Sequence, residues 1–253
     1  IESHLSSVFR MKRLKGKIIT KEDNSSVNYD AFLRWIQFCI SGLDHPVILP
    51  KNPIYLDALL SGQEFWGGVV PKIGQNFIQV VSIEGFPLAS SPGLINSLAD
   101  LPCLYRWSTR FIFMDTHEAV GHLEKFSKKW KQKIRSFFDQ VFNSHSSNVD
   151  QNAINMVSDA QAAIAETNSG EVAQGYYTSV VVLMSESRGD LEASARQVAK
   201  AINHLGFAAR IETINTIDAY LGSLPGHGVE NVRRPLLNTM NLADLMPSNT
   251  VWP

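Results

Sequence analysis

The clearest hydrophobic pattern along the chain is a succession of strand-like and helix-like segments between positions 76 and 214. NFIQVVSIE (76–84) is rich in β-branched residues, and YRWSTRFIF (105–113) alternates apolar and polar positions, so both segments are predicted strands. YYTSVVVLM (176–184) is apolar on both faces, which predicts a strand at the centre of a sheet. FAARIETI (207–214) predicts a further strand.

The strand predicted at 105–113 has two chemically different faces. Successive side chains of a strand point to opposite sides of the sheet, so every second residue shares a face. One face carries Tyr105, Trp107, Thr109, Phe111 and Phe113, and the other carries Arg106, Ser108 and Arg110. We expect the aromatic face to pack on the core. Arg106 and Arg110 are therefore candidate interaction residues, and salt bridges to the inserted helices are the structural alternative.

Helical periodicity predicts a long insertion between the second and third of these strands. From 116 to 142 apolar residues recur on one side of a helix. The stripe predicted to be buried is Leu123, Phe126, Trp130, Ile134, Phe137 and Val141. After the polar break SHSSN (144–148), a second helix is predicted with Ile154, Val157, Ala160 and Ile164 facing inward. Two helices joined by a short loop form an antiparallel hairpin.

Two further helices complete this part of the pattern. A short helix is predicted near 92–99, after the turn GFPLASSPG. A longer helix is predicted to begin at a cap formed by Asp190 and to end at Gly206. Its buried face is predicted to consist of Leu191, Ala195, Val198, Ile202 and Leu205.

The order of strand, helix, strand, helical hairpin, strand, helix and strand predicts an α+β fold. We expect a ferredoxin-like antiparallel sheet with an inserted long helical hairpin. This domain is predicted to span 76–215, with the helical insertion at 115–170. Residues 1–75 are predicted to form a strand and helix portion that packs on it. Residues 216–253 are predicted to form a short helix and a connector.

Within residues 1–75 the hydrophobic pattern is weaker. SHLSSVFRMKRL (3–14) alternates loosely and indicates a strand. A helix is predicted by the spacing of Phe32, Ile36 and Ile40. Gly42 can end that helix. The segment NPIYLDALLSG predicts a second, short helix that begins near Pro53 and ends at Gly62.

Composition narrows the class of protein. The formal net charge of −1 and the hydrophobic content of 44% are ordinary for a globular protein, and no global field draws the chain to nucleic acid or anionic lipid. Cys39 and Cys103 lie in apolar runs, which indicates buried, reduced thiols in a cytosolic setting. No run approaches the roughly 20 apolar residues that span a bilayer. The chain begins without methionine and ends on VWP, and we interpret it as a piece of a longer protein.

The segment YLGSLPGHGVENVRRPL (220–236) resembles a phosphate-binding loop in its glycines but lacks the rest of that motif. A P-loop requires lysine and a hydroxyl residue after its last glycine, and neither follows Gly226 or Gly228. A dinucleotide-binding loop requires a third glycine where this chain has Asn231. The glycines beside Pro225 predict a sharp turn. With no Walker A sequence elsewhere, we expect no ATP hydrolysis and no bound cofactor in this chain.

Metal binding and nucleophilic catalysis find no sequence support. The two histidines of HEAVGH (117–122) are five residues apart, whereas a zinc site on one helical face requires a spacing of four. No G-x-S-x-G nucleophile elbow occurs. No catalytic residue and no metal site are therefore predicted.

Two clusters of basic residues are candidate interaction sites. The segment KFSKKWKQKIR (125–135) places four of them on one side of the predicted helix: Lys125, Lys128, Lys131 and Arg135. They indicate either an ordinary solvated helix face or a nucleic-acid surface. Arg233 and Arg234 could contact a phosphate or a carboxylate, and the alternative is that both are paired or solvated ahead of Pro235.

Three segments together resemble a known family. They are YLDALLSGQEFWGGVVPKIGQNFIQVVSIEGFP, YRWSTRFIFMD, and AYLGSLPGH with NVRRPLLNTMNLADLMPSNTVWP. In this order, over roughly positions 45–253, they resemble the TrbE/CagE/VirB family of conjugal-transfer, or type IV secretion, ATPases. The matching motifs Gly85-Phe86-Pro87, Arg106 to Arg110 and Gly222 to His227 have no assigned catalytic role.

The resemblance implies a parent protein with two regions, cytoplasmic and peripheral to the bacterial inner membrane. Its C-terminal region is expected to be a P-loop ATPase that binds ATP and Mg²⁺, and its N-terminal region to dock on channel subunits. NLADLMP precedes the Walker A loop in the family, so this chain corresponds to the N-terminal region without the ATPase domain. The implied partners are inner-membrane subunits of the secretion channel and other copies of the same ATPase, with only peripheral membrane contact.

Three hypotheses follow for function. The first is an assembly and docking domain without catalysis of its own. The second is a nucleic-acid binding module that uses the basic helix 125–135 together with Arg106 and Arg110, although a core-facing aromatic strand argues against base stacking. The third is that Arg233 or Arg234 reaches an ATPase site in the intact protein, as arginines supplied across an interface do.

Overall fold

The computed structural model describes residues 13–20, 26–60, 62–87, 90–141 and 151–246, together with the isolated positions 3 and 6. Within two long helices, the side chains of 130, 132–141 and 151–155 are outside this description. The strand predicted at 3–14 lies almost wholly outside the described residues. The predicted inward positions Trp130, Ile134, Phe137, Val141 and Ile154 also fall outside it.

The described chain contains ten strands and seven α-helices. The strands are β1 (Gly16–Thr20), β2 (Ser26–Asp30), β3 (Val47–Leu49), β4 (Phe65–Trp66), β5 (Lys72–Ile73), β6 (Asn76–Gly85), β7 (Arg106–Phe113), β8 (Gln174–Ser185), β9 (Ala208–Ile211) and β10 (Leu236–Asn238). The helices are α1 (Ala31–Ser41), α2 (Leu56–Leu59), α3 (Thr116–Val141), α4 (Gln151–Ser169), α5 (Arg188–His204), α6 (Thr216–Gly222) and α7 (Thr239–Asp244). A 3-10 helix spans Asn96–Asp100.

The main sheet is antiparallel throughout, and β8 is its central strand. On one side β8 pairs with β6 and β10, and on the other side it pairs with β7. The opposite side of β6 pairs with β9 and β5, and β4 follows β5. The four long-range strands therefore lie in the order β7, β8, β6, β9. The apolar run of β8 is buried on both faces, which confirms the predicted central strand.

The order of these four strands supports the predicted fold class. Along the chain, β6, the 3-10 helix, β7, β8, α5 and β9 follow one another as β-α-β-β-α-β. The hairpin of α3 and α4 is inserted between β7 and β8. We propose that this unit is ferredoxin-like. The main sheet also receives β4 and β5 from the segment before 76 and β10 from the segment after 215.

One face of the sheet packs against α5 and the 3-10 helix. Its buried residues include Val81, Ile83, Ile95, Leu98, Tyr177, Val181, Leu183, Leu191, Ala195, Val198 and Ile202. The predicted inward face of α5 is confirmed, except that Leu205 is only half-buried. The predicted cap is wrong, because the Ser187 hydroxyl rather than Asp190 accepts the first backbone N–H, at 3.3 Å. Gly206 has a φ of 86°, so it ends the helix as predicted.

The other face of the sheet packs against α6. Ile78, Val80, Val180 and Val182 meet Ala219 and Tyr220 there. Because β6 and β8 are covered on both faces, almost every residue of these strands is buried. This explains why their sequences lack a simple polar alternation.

The buried phenol of Tyr220 predicts a loss of stability at high pH. Its hydroxyl donates to the Ile40 carbonyl, and burial raises the pKa of Tyr220 to about 12. An unfolded chain ionises this group near pH 10, so the contribution is present below pH ~10 and is lost as the pH rises to ~12. Unfolding titrations should lose on the order of 3 kcal/mol over this window. Tyr220→Phe should flatten the loss, and an unchanged slope would contradict the assignment.

The small N-terminal sheet of β1, β2 and β3 is accompanied by α1. Asp30 caps this helix through the N–H groups of Phe32 and Leu33, both at 2.9 Å. Gly42 ends it with a φ of 73°, as predicted. Leu33 is buried and Ile36 packs beside it. Of the three residues whose spacing predicted the helix, Phe32 is exposed rather than buried.

Two other short helices differ from their predictions. The helix predicted from Pro53 to Gly62 is only the single turn Leu56–Leu59, because Leu60 is already extended. The helix predicted near 92–99 is the 3-10 helix Asn96–Asp100. The thiols differ as well, since Cys39 is buried as predicted but Cys103 is half-buried.

The hairpin of α3 and α4 confirms the predicted helices but not the predicted stripe of α3. The buried residues of its described part are Ala119, Leu123 and Ser127, whereas Phe126 is 50% exposed. The buried positions follow the spacing i, i+4, i+8. Small side chains at two of them let the neighbouring elements β8 and α4 approach closely. On α4, Val157, Ala160 and Ile164 are half-buried, in agreement with their predicted inward orientation.

This correction gives a simple mutational test. Leu123→Ala should lower the free energy of unfolding by about 2–3 kcal/mol, because it removes a buried side chain and leaves a cavity. Phe126→Ala should cost less than about 1 kcal/mol, although it removes a larger side chain. Urea unfolding of the two variants measures both values. Equal losses would restore the stripe predicted from periodicity.

Candidate interaction surface

Two arginines of β7 bind a distant loop. We call residues 222–231 the 222–231 loop. Arg106 donates from Nη1 to the Ser223 carbonyl at 2.7 Å and from Nη2 to the Ser223 hydroxyl at 2.9 Å. Arg106 and Arg110 both lie on the polar face of β7, as predicted. Their partners are this loop and not the inserted helices that the structural alternative named.

Arg110 binds three carbonyl oxygens of the same loop. Its Nη1 donates to the Glu230 carbonyl at 2.7 Å, and its Nη2 donates to the Gly222 carbonyl at 2.6 Å and to the His227 carbonyl. One side chain thus joins the start, middle and end of the loop. The loop is closed by a guanidinium, and its closure depends on the β7 register.

The glycines of this loop serve its tight path. A Cβ on Gly222 would lie 2.6 Å from the Glu230 carbonyl oxygen, and Gly226 has a φ of 81°. Both positions therefore favour glycine. The converging groups are carbonyl oxygens that accept from arginine, whereas a phosphate cradle presents N–H groups. The loop has the geometry of the predicted turn.

Two side-chain contacts complete the loop and its base. The Glu230 carboxylate contacts the His227 ring, and this hydrogen bond is the main reason why the pKa of Glu230 is lowered. Thr178 of β8 donates to the side-chain oxygen of Asn231. The loop is therefore fixed to the sheet at both ends.

The direct partners of Arg106 and Arg110 are neutral oxygens. Burial lowers the pKa of the Arg106 guanidinium. Among the residues that the structure describes, neither guanidinium forms an ion pair with a carboxylate side chain. The charge of Arg110 lowers the pKa of Glu230 to a small extent, but that carboxylate binds His227. The two arginines therefore have no ion-pair partner at this place.

A groove of about 960 Å³ runs along these arginines. Its floor is the stretch 105–110 of β7, and the 222–231 loop closes part of it through residues 222–227. One wall consists of Trp35, Phe38 and Cys39 of α1, and the opposite wall consists of Ile95, Asn96 and Ala99 at the 3-10 helix. Trp35 and Phe38 are 42% and 44% exposed. The groove is thus apolar along its walls and cationic along part of its floor.

Arg233 and Arg234 have different environments although they are adjacent. Arg233 makes a bidentate ion pair with Glu212, with distances of 2.9 Å and 3.2 Å, and Glu212 is 1% exposed. This pair raises the pKa of Arg233. Arg234 is exposed, and its guanidinium carbon lies 5.7 Å from the centre of the Tyr176 ring. Of the two, Arg234 is the more accessible to another molecule.

The basic helix does not join the groove. Lys125, Lys128 and Lys131 are exposed on α3, and Lys128 lies 3.6 Å from Glu124 one turn away. None of the three lines the groove. The side chain of Arg135 lies outside the described residues. The structure therefore does not bring these lysines together with Arg106 and Arg110.

The histidines of the HEAVGH segment make local contacts on α3. His122 lies 3.3 Å from the Tyr176 hydroxyl and 3.8 Å from Glu118. In the described part of the chain, no three His, Cys, Asp or Glu side chains are arranged to bind a metal ion. Over the same residues, no helix has both the length and the apolar character needed to cross a membrane.

Comparison with known proteins gives the class to which this fold and surface belong. The family model described as "CagE, TrbE, VirB family, component of type IV transporter system" matches residues 17–233. The molecule is therefore a component of a type IV transporter system. The chain belongs to the CagE, TrbE, VirB family, which confirms the resemblance found in the sequence.

Two curated relatives match along the whole chain. One is a probable conjugal transfer protein TrbE of Sinorhizobium fredii (strain NBRC 101917 / NGR234), 45% identical over 253 residues. The other is the "Conjugal transfer protein TrbE" of Rhizobium radiobacter, also 45% identical over 253 residues. The chain spans 38% of the first relative and 31% of the second. Most of each relative has no counterpart in this chain.

Proposed function

We propose that this chain is the N-terminal assembly and docking domain of a conjugal-transfer ATPase and performs no catalysis itself. The observation that carries the proposal is the groove at β7. Its walls expose aromatic side chains of α1 beside a rigid sheet, and its floor carries two arginines without an ion-pair partner. Exposed aromatic side chains next to arginine are typical of a protein-binding site.

The polar groups that could have bound a nucleotide have partners within the chain. Arg106 and Arg110 bind loop carbonyls, and Arg233 binds Glu212. The proposal therefore assigns ATP and Mg²⁺ binding to the region of the parent protein that lies beyond this chain. The spans of 38% and 31% leave room for such a region in the relatives.

The proposed partners are inner-membrane subunits of the secretion channel and neighbouring copies of the same ATPase. The proposed location is the cytoplasmic side of the inner membrane, with peripheral membrane contact only. Of the two arginines proposed to reach an ATPase site, the exposed Arg234 is the better candidate. The guanidinium of Arg233 is occupied by a buried carboxylate.

The nucleic-acid alternative is weaker. A base-stacking sheet requires exposed aromatic side chains, but Trp107 and Phe111 pack on the core. The indole N–H of Trp107 donates to the Ser179 hydroxyl at 2.7 Å. The exposed lysines of α3 alone would give only salt-dependent, non-specific binding.

Binding measurements with the 253-residue chain test the proposal. Each inner-membrane subunit of the transporter, solubilised in detergent, is titrated against the chain, and ATP with Mg²⁺ is titrated by calorimetry. We expect binding to at least one subunit and no heat from nucleotide. Micromolar binding of ATP, or the absence of binding to every subunit, would contradict the proposal. Binding to single-stranded DNA that is lost in a Lys125, Lys128 and Lys131 to alanine variant would favour the alternative.

A further inference from the structure

The outer edge of β7 has no strand beside it in the described chain. β7 pairs with β8 alone, whereas β8 and β6 are paired on both sides. A strand edge of this kind presents backbone donors and acceptors that can pair with another strand. Proteins often use such an edge to bind an extended segment of a partner.

The ladder fixes which backbone groups point outward. The N–H of Met114 donates to the Gln174 carbonyl at 2.9 Å, so this pair is hydrogen-bonded. In an antiparallel ladder such pairs alternate with pairs whose groups point away from each other. The register from Phe113–Gly175 to Arg106–Val182 is unbroken. The backbone groups of Trp107, Thr109 and Phe111 therefore point to the free edge.

The groove lies along this edge. Six consecutive residues, 105–110, line it, together with residues from both faces of the sheet. Trp35 and Cys39 belong to the face that carries Arg106, whereas Ile95 and Asn96 belong to the opposite face, on which Trp107 packs. Residues from the two faces can line one groove only beyond the edge of the strand. The volume is thus in line with the sheet.

The charge of the groove selects among possible occupants. The described residues that line it include Arg106 and Arg110 but no Asp or Glu. Each guanidinium has five N–H donors, and the loop uses two on Arg106 and three bonds on Arg110. The remaining donors and the missing ion-pair partner favour an acidic side chain. The exposed Trp35 and Phe38 favour apolar side chains beside it.

We propose that the β7 edge binds an extended segment of a partner protein by strand addition, and that this segment alternates apolar residues with at least one Asp or Glu. The inference rests on the proposed docking function and adds its site and the chemistry of its partner. The segment pairs with Trp107, Thr109 and Phe111 through backbone hydrogen bonds. Its carboxylate lies against Arg106 and Arg110, and its apolar side chains cover the aromatic wall of α1. Six residues of edge accommodate a strand of about 20 Å.

Thr109→Pro tests the backbone pairing directly. Proline removes the outward N–H of Thr109 without removing a hydrogen bond to β8, and edge strands tolerate proline at such positions. Thr109→Ala is the matched control, because it alters the same exposed side chain but keeps the N–H. The probes are overlapping synthetic peptides of about 12 residues, twice the length of the edge, from the cytoplasmic segments of the transporter's inner-membrane subunits.

We expect one or more acidic, apolar-alternating peptides to bind the wild-type chain. Thr109→Pro should weaken that binding at least about tenfold, and Thr109→Ala should change it less than about twofold. Replacing the peptide's carboxylate by its amide should also weaken binding. In the wild-type chain, hydrogen exchange at the amides of Trp107, Thr109 and Phe111 should slow when peptide is bound. This last readout does not depend on the folding of any variant.

The other outcomes separate this inference from the proposed function. Peptide binding that is indifferent to Thr109→Pro and leaves those amides unprotected would overturn strand addition and leave the docking function standing. The same holds if intact subunits bind but no peptide does. Failure of both peptides and subunits would overturn both proposals. A wild-type dimer that Thr109→Pro dissociates would overturn the proposed partner and assign the edge to a second copy of the chain.

Discussion

Replacing Arg233 with alanine is expected to lower the free energy of unfolding by about 3–5 kcal/mol. Glu212 is 1% exposed, and Arg233 binds both of its carboxylate oxygens. Removing the guanidinium leaves a buried charge without its partner, which is among the most costly single changes in a protein. Glu84, whose carboxylate lies 3.8 Å from Arg233, would lose a weaker contact. Chemical denaturation of the chain measures the loss.

Arg234→Ala is the matched control for this prediction. Arg234 is the next residue and has the same side chain, but it is exposed and contacts only the face of Tyr176 among the described residues. Its replacement should cost less than about 1 kcal/mol. A double replacement of Glu212 by Gln and Arg233 by Met should recover much of the stability lost by Arg233→Ala, because no buried charge remains. Equal losses for the two single arginine variants would show that the buried pair is not stabilising.

Arg110→Ala is expected to cost about 3 kcal/mol and to release the 222–231 loop. Three carbonyls of that loop, those of Gly222, His227 and Glu230, would lose a charged donor at once. Hydrogen bonds to charged groups contribute about 1.5–3 kcal/mol each, and water replaces part of that contribution at a half-buried site. Hydrogen exchange in residues 224–230 should become faster than in the wild-type chain, while the protection of β8 should persist.

Arg210→Ala is the control for the loop variant. Arg210 also lies on a strand of the main sheet, but it is 53% exposed and makes a single contact of 3.5 Å with Glu84. Surface pairs of this kind contribute about 0–1 kcal/mol. If Arg110→Ala were as mild as Arg210→Ala, the loop would be held by its glycines and Pro225 rather than by β7.

The elements that the sequence predicts well are those whose burial follows from their own periodicity. The inward face of α5 is found at Leu191, Ala195 and Val198, because the helix packs on a sheet through one regular stripe. The stripe of α3 was mispredicted, since the buried positions include Ala119 and Ser127, which a hydrophobicity pattern does not select. Close approach of a neighbouring helix favours small residues there.

The candidate surface was only partly predictable, because its contacts join residues far apart along the chain. Alternation placed Arg106 and Arg110 on the polar face of β7, but nothing local identified Ser223 or Glu230 as their partners. The pairing of a buried carboxylate with Arg233 likewise has no local signature. The groove additionally requires the placement of α1. One signal was available, since Phe32, Trp35 and Phe38 recur at helical spacing on a face other than that of Leu33.

The hairpin of α3 and α4 enters and leaves the sheet at a single point. Phe113 and Gly175, at its two ends, are opposite each other in the ladder of β7 and β8. Because the strands meet without it, the hairpin behaves as an appended arm whose length is decoupled from the architecture beneath it. An engineer could shorten it, or attach a reporter to it, while the opposite rim of β7 stays free to receive a guest strand.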